Sequence, residues 1–154
     1  MAKASNSISL DMGVDEAWAA ASDLARFDEW LVLHDGWRGD VPEALSEKLK
    51  VTSVVSVKGV RVRFDWVIDR YRPPTEIRLS GSGKGGIKAK LDLTIAQSGE
   101  GSSVTLGIDL GGLPLIGPAG KAAAKAVEGD LSVSLENFGR YSLRSSDRMV
   151  AGRE

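Results

Sequence analysis

Hydrophobic and polar positions divide the chain into two regimes. In the first strand, and again from about residue 49 to residue 110, apolar side chains recur at every second position, the period of half-buried strands. After Gly111-Gly112 they recur at every third and fourth, the period of a helix with one buried face. Ile8, Leu10 and Met12 alternate with Ser9 and Asp11, predicting a first strand from Ser7 to Met12. Gly13 breaks that period. Asp15 and Glu16 then place negative charge in the first turn of a short helix carrying Trp18, a core residue by its position. Asp23 is placed to cap a second short helix that presents Leu24, Phe27 and Trp30 or Leu31 on one side.

From Val32 to Leu45 no clean period survives, and a loop with at most a short edge strand is expected. The alternation resumes at Leu49, Val51, Val55 and Val57, turns at Lys58-Gly59, and returns through Val60, Val62, Phe64, Trp66 and Ile68. Pro73-Pro74 ends that run, since neither residue donates to a strand ladder. Ile77 and Leu79 lead to a Gly81 to Gly86 turn, followed by runs at Ile87–Ile95 and Val104–Leu110. The final period, through Ile116, Ala119 or Gly120, Ala123, Val127, Leu131, Leu135 and Phe138, predicts one long helix ending near Tyr141. Pro114 and Pro118 suit only its first turn. Residues 142–154 are polar and read as a frayed tail behind a single domain, 1–141.

A chain of 154 residues is long enough to bury one substantial core. It has no cysteine and one histidine, His34, so disulfides, thiolate metal sites and histidine clusters are excluded, and no cofactor is indicated. With 20 basic against 21 acidic residues, no overall field attracts nucleic acid. Met1 to Ser7 has no apolar run of signal-peptide length, and no stretch is apolar enough for membrane insertion. A cytoplasmic protein is expected.

The order of strand, two short helices, antiparallel meander and long C-terminal helix is an α+β, helix-grip arrangement: a curved sheet of about six or seven strands around the last helix. The segment from Val14 to Leu31, with Trp18, Asp23 and Trp30, resembles the opening of the polyketide cyclase and START-like (SRPBCC) ligand-binding superfamily. Val57-Lys58-Gly59-Val60, Arg72-Pro73-Pro74 and the Gly81 to Gly86 turn are similar to the branch of that superfamily associated with carbon monoxide dehydrogenase. The likeness covers roughly Ser5 to Tyr141, and no catalytic signature of an enzyme branch accompanies it.

The resemblance implies a cavity between the concave sheet and the long helix. Ala119, Ala123 and Val127 would face it from the helix. Val51, Val55, Val62, Phe64, Leu79, Leu91, Leu93 and Ile108 would face it from the strands. Trp30 and Trp37 lie near the presumed mouth, and Trp66 is on the apolar face. Ser53 interrupts that face with a hydroxyl that could orient a guest or bind a buried water. An empty cavity of about 300 Å³ would cost roughly 7 kcal/mol, so one of that size should be occupied.

Other candidate chemistry is thinner. Gly81, Gly83 and Gly86 match a dinucleotide-loop spacing, but a strand follows where that motif needs a helix. Gly120-Lys121 lacks the hydroxyl and the first glycine of a phosphate loop. His34, beside Asp35, has the ordinary pKa of a base near neutrality but lacks a second convergent group. Asp65 and Asp69 share a polar face with arginines and read as surface ion-pair partners. Lys84, Lys88 and Lys90 read as a strand-protecting basic stripe. Three functions stay open: a carrier of a small hydrophobic molecule, a cyclase or dehydratase using the same cavity, and a protein-interaction module.

Overall fold

The computed structural model describes residues 2–39, 45–57, 60–112 and 118–151, with side chains except at positions 2, 25, 57, 60, 84, 119, 120, 123, 124 and 143–151. Strand β1 (Ala2–Leu10) leads to helix α1 (Val14–Ala21) and a 3₁₀ helix (Leu24–Glu29). Strands β2 (His34–Arg38), β3 (Lys50–Val57), β4 (Val60–Arg72), β5 (Glu76–Gly83), β6 (Lys88–Ser98) and β7 (Gly101–Gly111) follow, then helix α2 (Pro118–Ala151). Among the described residues the strands form one antiparallel sheet in the order β1-β7-β6-β5-β4-β3-β2. The first strand therefore closes onto the last, which leaves β2 and β1 as the two edges.

Alternation sets the faces. Along β7 every second residue is buried, and Val104, Leu106, Ile108 and Leu110 face the core beside Leu91, Leu93 and Ile95 of β6. Helix α2 closes this concave side with Val127, Leu131, Leu135, Phe138 and Tyr141, spaced by three and four so that one stripe is buried. It lies mainly against β1, where the Asn6 side-chain amide donates to Ser132 Oγ at 2.8 Å. Ser134, fully buried on the same helix, accepts from the backbone N–H of Val32 at 2.9 Å.

Three local expectations need correction. The first strand begins at Ala2, because it runs in unbroken register with β7 from Ala2↔Leu110 to Leu10↔Ser102. The second short helix is a 3₁₀ helix kinked at Arg26, and Asp23 makes no cap hydrogen bond there. Its apolar residues Leu24, Phe27 and Trp30 are spaced by three, which matches three residues per turn. Helix α2 continues past Tyr141 to Ala151, with Ser142 still buried. The apolar stripe ends at Tyr141, but no glycine or proline stops the backbone before Gly152. The Lys58-Gly59 turn and residues 113–117 lie outside the described residues. Trp18 is buried, its ring 5.9 Å from Tyr71.

Gly129 is exposed in the middle of α2, and a Cβ built there meets nothing within 4 Å. Gly129→Ala should therefore raise stability by about 0.5–1 kcal/mol, since helix is the better state for alanine and nothing clashes. Urea denaturation measures this directly; a loss of stability would mean the helix is not regular at that point.

Candidate functional site: an aromatic-floored cavity

Strand β4 supplies the floor. Phe64 and Trp66 point to the concave side and stack at 5.3 Å with 27° between their planes. Across β5, Trp66 pairs with Gly81 and Phe64 with Gly83. A Cβ added to Gly81 would come within 2.6 Å of the Trp66 ring, and one on Gly83 within 3.0 Å of Phe64. The two glycines therefore belong to strand β5, as the bed on which both rings lie, and the turn is confined to Lys84–Gly86. Trp66 Nε1 donates to Ser53 Oγ at 2.8 Å, both residues buried. Ser53 thus answers the indole N–H, the polar group that burial of a tryptophan leaves to be satisfied.

Over this floor lies a cavity of about 30 Å³, walled by Val55, Leu79, Leu91 and Ile108 from the sheet and by Phe27, Leu31 and Leu33 from the 3₁₀ helix and the segment after it. His34 and Trp37 of β2 complete the wall. The space suits a water molecule and is about a tenth of the 300 Å³ expected. No described residue of α2 lines it, so the cavity sits between the sheet and the 3₁₀ helix–β2 segment.

Of the residues expected to face a guest, His34, Trp37, Ser53, Val55, Trp66, Leu79, Leu91 and Ile108 line this space. Phe64 lies beside Trp66, and Val51, Leu93 and Val127 are packed into the core. Val62 is partly buried against the same core without reaching the cavity. Trp30 is buried without lining the cavity, behind Phe27 and edge-on to Phe138 at 4.8 Å, and its Nε1 has no hydrogen-bond partner among the described residues. The side chains of Ala119 and Ala123 lie outside the described residues. Phe27, Leu31 and Leu33 line the cavity without having been expected to. For Phe27 the signal was its place on the apolar side with Leu24, whereas Leu33 stands in a stretch without a period.

His34 is half-buried, with its ring 4.7 Å from that of Trp37 and 6.0 Å from that of Phe27. Burial lowers its pKa from the ordinary 6.5, against the opposing pull of Asp28 and Asp35. Asp35 pairs with Arg61, and among the described residues no carboxylate is hydrogen-bonded to the imidazole. As pH falls below about 6.5, the unfolded chain takes up a proton that the folded His34 resists, so this residue's contribution to stability is lost on descending through that range. Chemical denaturation at a series of pH values should show that slope in the wild type and a flatter one in His34→Gln; equal slopes would place the ring in water.

The remaining charged candidates whose side chains are described face outward. Asp65 accepts from Thr52 Oγ1 at 2.9 Å and Asp69 accepts from Ser80, so both take hydroxyl donors where arginines were expected. Lys88 donates to Ser82 at 3.2 Å on the exposed face. Among the described residues no group of three His, Cys, Asp or Glu is arranged to hold a metal ion.

Comparison with known proteins accords with this architecture. The family described as polyketide cyclase / dehydrase and lipid transport matches residues 1–142. A Mycobacterium tuberculosis protein named Toxin Rv0910 is 45% identical over 138 residues, covering 90% of this chain and 96% of that protein. Among solved structures, TTHA0849 from Thermus thermophilus superposes with a TM-score of 0.76 at 15% identity, covering 94% of this chain and 99% of that one. Ara h 8.0201 gives a TM-score of 0.67 at 11% identity over 92% of this chain and 97% of its own. Both have the same helix-grip fold.

Proposed function

The chain belongs to the polyketide cyclase / dehydrase and lipid transport family, and from that premise we propose that it binds a small, uncharged hydrophobic molecule on the Phe64–Trp66 floor. The observation carrying this reading is a concave site walled by aliphatic and aromatic side chains, with no ionised side chain on its wall to answer a charge. Burial would supply affinity at about 25 cal/mol per Å² of apolar area before the costs of association. Because the cavity is small, the guest enters only as side chains give way. Flat or flexible molecules, such as aromatic polyketides or single acyl chains, fit such a site better than rigid bulky ones. Native mass spectrometry of protein purified without detergent, followed by solvent extraction, should reveal an apolar species bound one to one. Protein that is bare, and stays bare after incubation with a panel of lipids and polycyclic aromatics, counts against the proposal.

A second reading makes the chain a cyclase or dehydratase. It is supported by the wall position of His34, whose lowered pKa keeps the imidazole neutral and able to accept a proton. A bound guest whose mass falls by one water in the wild type and is unchanged in His34→Gln would establish it. The name of the 45%-identical relative motivates a third test, conditional expression in a bacterial host. Growth arrest that disappears when the cavity is plugged would join toxicity to binding. An interaction module has less support, since the large apolar side chains left exposed among the described residues are Val32 and Val133. No helix of the described residues is long and apolar enough to cross a membrane.

A further inference from the structure

A cavity with room for a water admits a larger guest only when part of its wall moves, and the restraints on each wall residue differ. Trp66 is fixed by Ser53, by Phe64 and by the β5 backbone at Gly81. Leu79, Leu91 and Ile108 stand on strands paired on both sides. Trp37 has none of these supports. It is half-buried and stands on β2, the five-residue edge strand, which among the described residues pairs with β3 alone and shifts register between His34 and Trp37.

Two glycines bracket it. Gly36 has φ +121° and Gly39 φ +87°, and a Cβ on either would meet nothing within 4 Å. Backbone conformation, not crowding, is therefore what glycine serves at both positions, and Trp37 rides on a short arm with a permissive joint at each end. Besides its pairing with β3 at Trp37↔Ser53 and Arg38↔Thr52, the arm is tied to the 3₁₀ helix by one hydrogen bond: Trp37 Nε1 donates to the carbonyl oxygen of Leu24 at 2.6 Å. That carbonyl belongs to the kinked 3₁₀ helix that also carries Phe27, 5.9 Å from the Trp37 ring.

We infer that Trp37 is the latch of the cavity and sets the size of guest admitted. Release of its indole from Leu24 lets the ring turn away from the 3₁₀ helix while Trp37 and Arg38 stay paired with β3, the backbone yielding at Gly36 and Gly39, and this opens a path between the 3₁₀ helix and the sheet edge; the ring then closes against the guest. This rests on the binding function proposed above.

Stopped-flow mixing with the neutral fluorescent probe N-phenyl-1-naphthylamine tests it in wild type, Trp37→Phe and Trp37→Ala. Opening must precede entry, so the wild-type rate should level off at high probe concentration. Trp37→Phe keeps a ring but loses the indole donor, and its plateau should rise roughly three- to tenfold, as for removal of one hydrogen bond. Trp37→Ala should show no plateau. Circular dichroism melts establish that both variants fold; if Trp37→Ala does not, the plateau of Trp37→Phe decides. Equal rates in the folded proteins, or a wild-type rate linear in probe, overturn the latch and leave the cavity standing. Absence of binding in every variant overturns the cavity function as well.

Discussion

Phe138→Ala is expected to lower the free energy of unfolding by about 3–5 kcal/mol, the range for truncating a fully buried aromatic. Phe138 is completely inaccessible on α2, with Trp30 at 4.8 Å and Tyr141 at 6.3 Å between ring centroids. It is the point where the long helix meets the 3₁₀ segment, so its loss leaves a void between two elements that a single side-chain shift will not fill. For a domain of this size the loss should appear as a fall in Tm of roughly 10 °C. Trp30 fluorescence should also change, since that indole would lose its edge-on neighbour. A change below about 1 kcal/mol in urea titration would mean that α2 does not seat here.

Gly81→Ala is the second, and its effect should exceed that of Gly83→Ala. The added methyl of the first lies 2.6 Å from Trp66 and that of the second 3.0 Å from Phe64. Trp66 cannot yield cheaply, being tied to Ser53 at 2.8 Å and stacked on Phe64. The expected cost is about 1–3 kcal/mol, as for overpacking elsewhere, set against a gain of several tenths from replacing a strand glycine. A displaced Trp66 would abandon its hydrogen bond and shift the emission of the protein. If both alanines are tolerated equally with unchanged emission, the aromatic floor is not held as described.

The sequence made the alternation of the strands, the long helix and their order legible, because burial on one face imposes periods of two and of three to four on any chain. The glycine bed was not legible. Gly81, Gly83 and Gly86 look like a turn, and their role depends on which residues of β4 oppose them. The register shifts by one between Ile68 and Arg70, so Trp66 meets Gly81, whereas unbroken pairing continued from Arg72↔Glu76 would bring it opposite Ser82. No local pattern announces such a bulge. The Ser53 hydroxyl was visible as a break in an apolar face, but its partner Trp66 lies across a hairpin and emerges only from the pairing of β3 with β4.

The apolar wall was partly legible for the same reason. Leu79, Leu91 and Ile108 follow from alternation and Leu31 ends the apolar side of the second short helix, while Leu33 comes from a segment with no period, placed by the return of the chain over the sheet. Trp30 was misplaced because a tryptophan at the end of a short helix looks the same whether it borders a mouth or fills the seam under α2. It follows the 3₁₀ helix in a non-helical conformation and meets Phe138 edge-on.

Equilibrium titration of N-phenyl-1-naphthylamine into the wild type and into Leu79→Phe, followed by quenching of tryptophan emission, addresses the central claim most directly. Leu79 lines the cavity on a central strand, and an extra ring there fills the space above the Trp66 floor. One saturable site in the wild type, weakened at least about tenfold (1.4 kcal/mol) in Leu79→Phe while the fold persists, is the predicted result. Binding that never saturates, or equal affinity in the plugged protein, would contradict it.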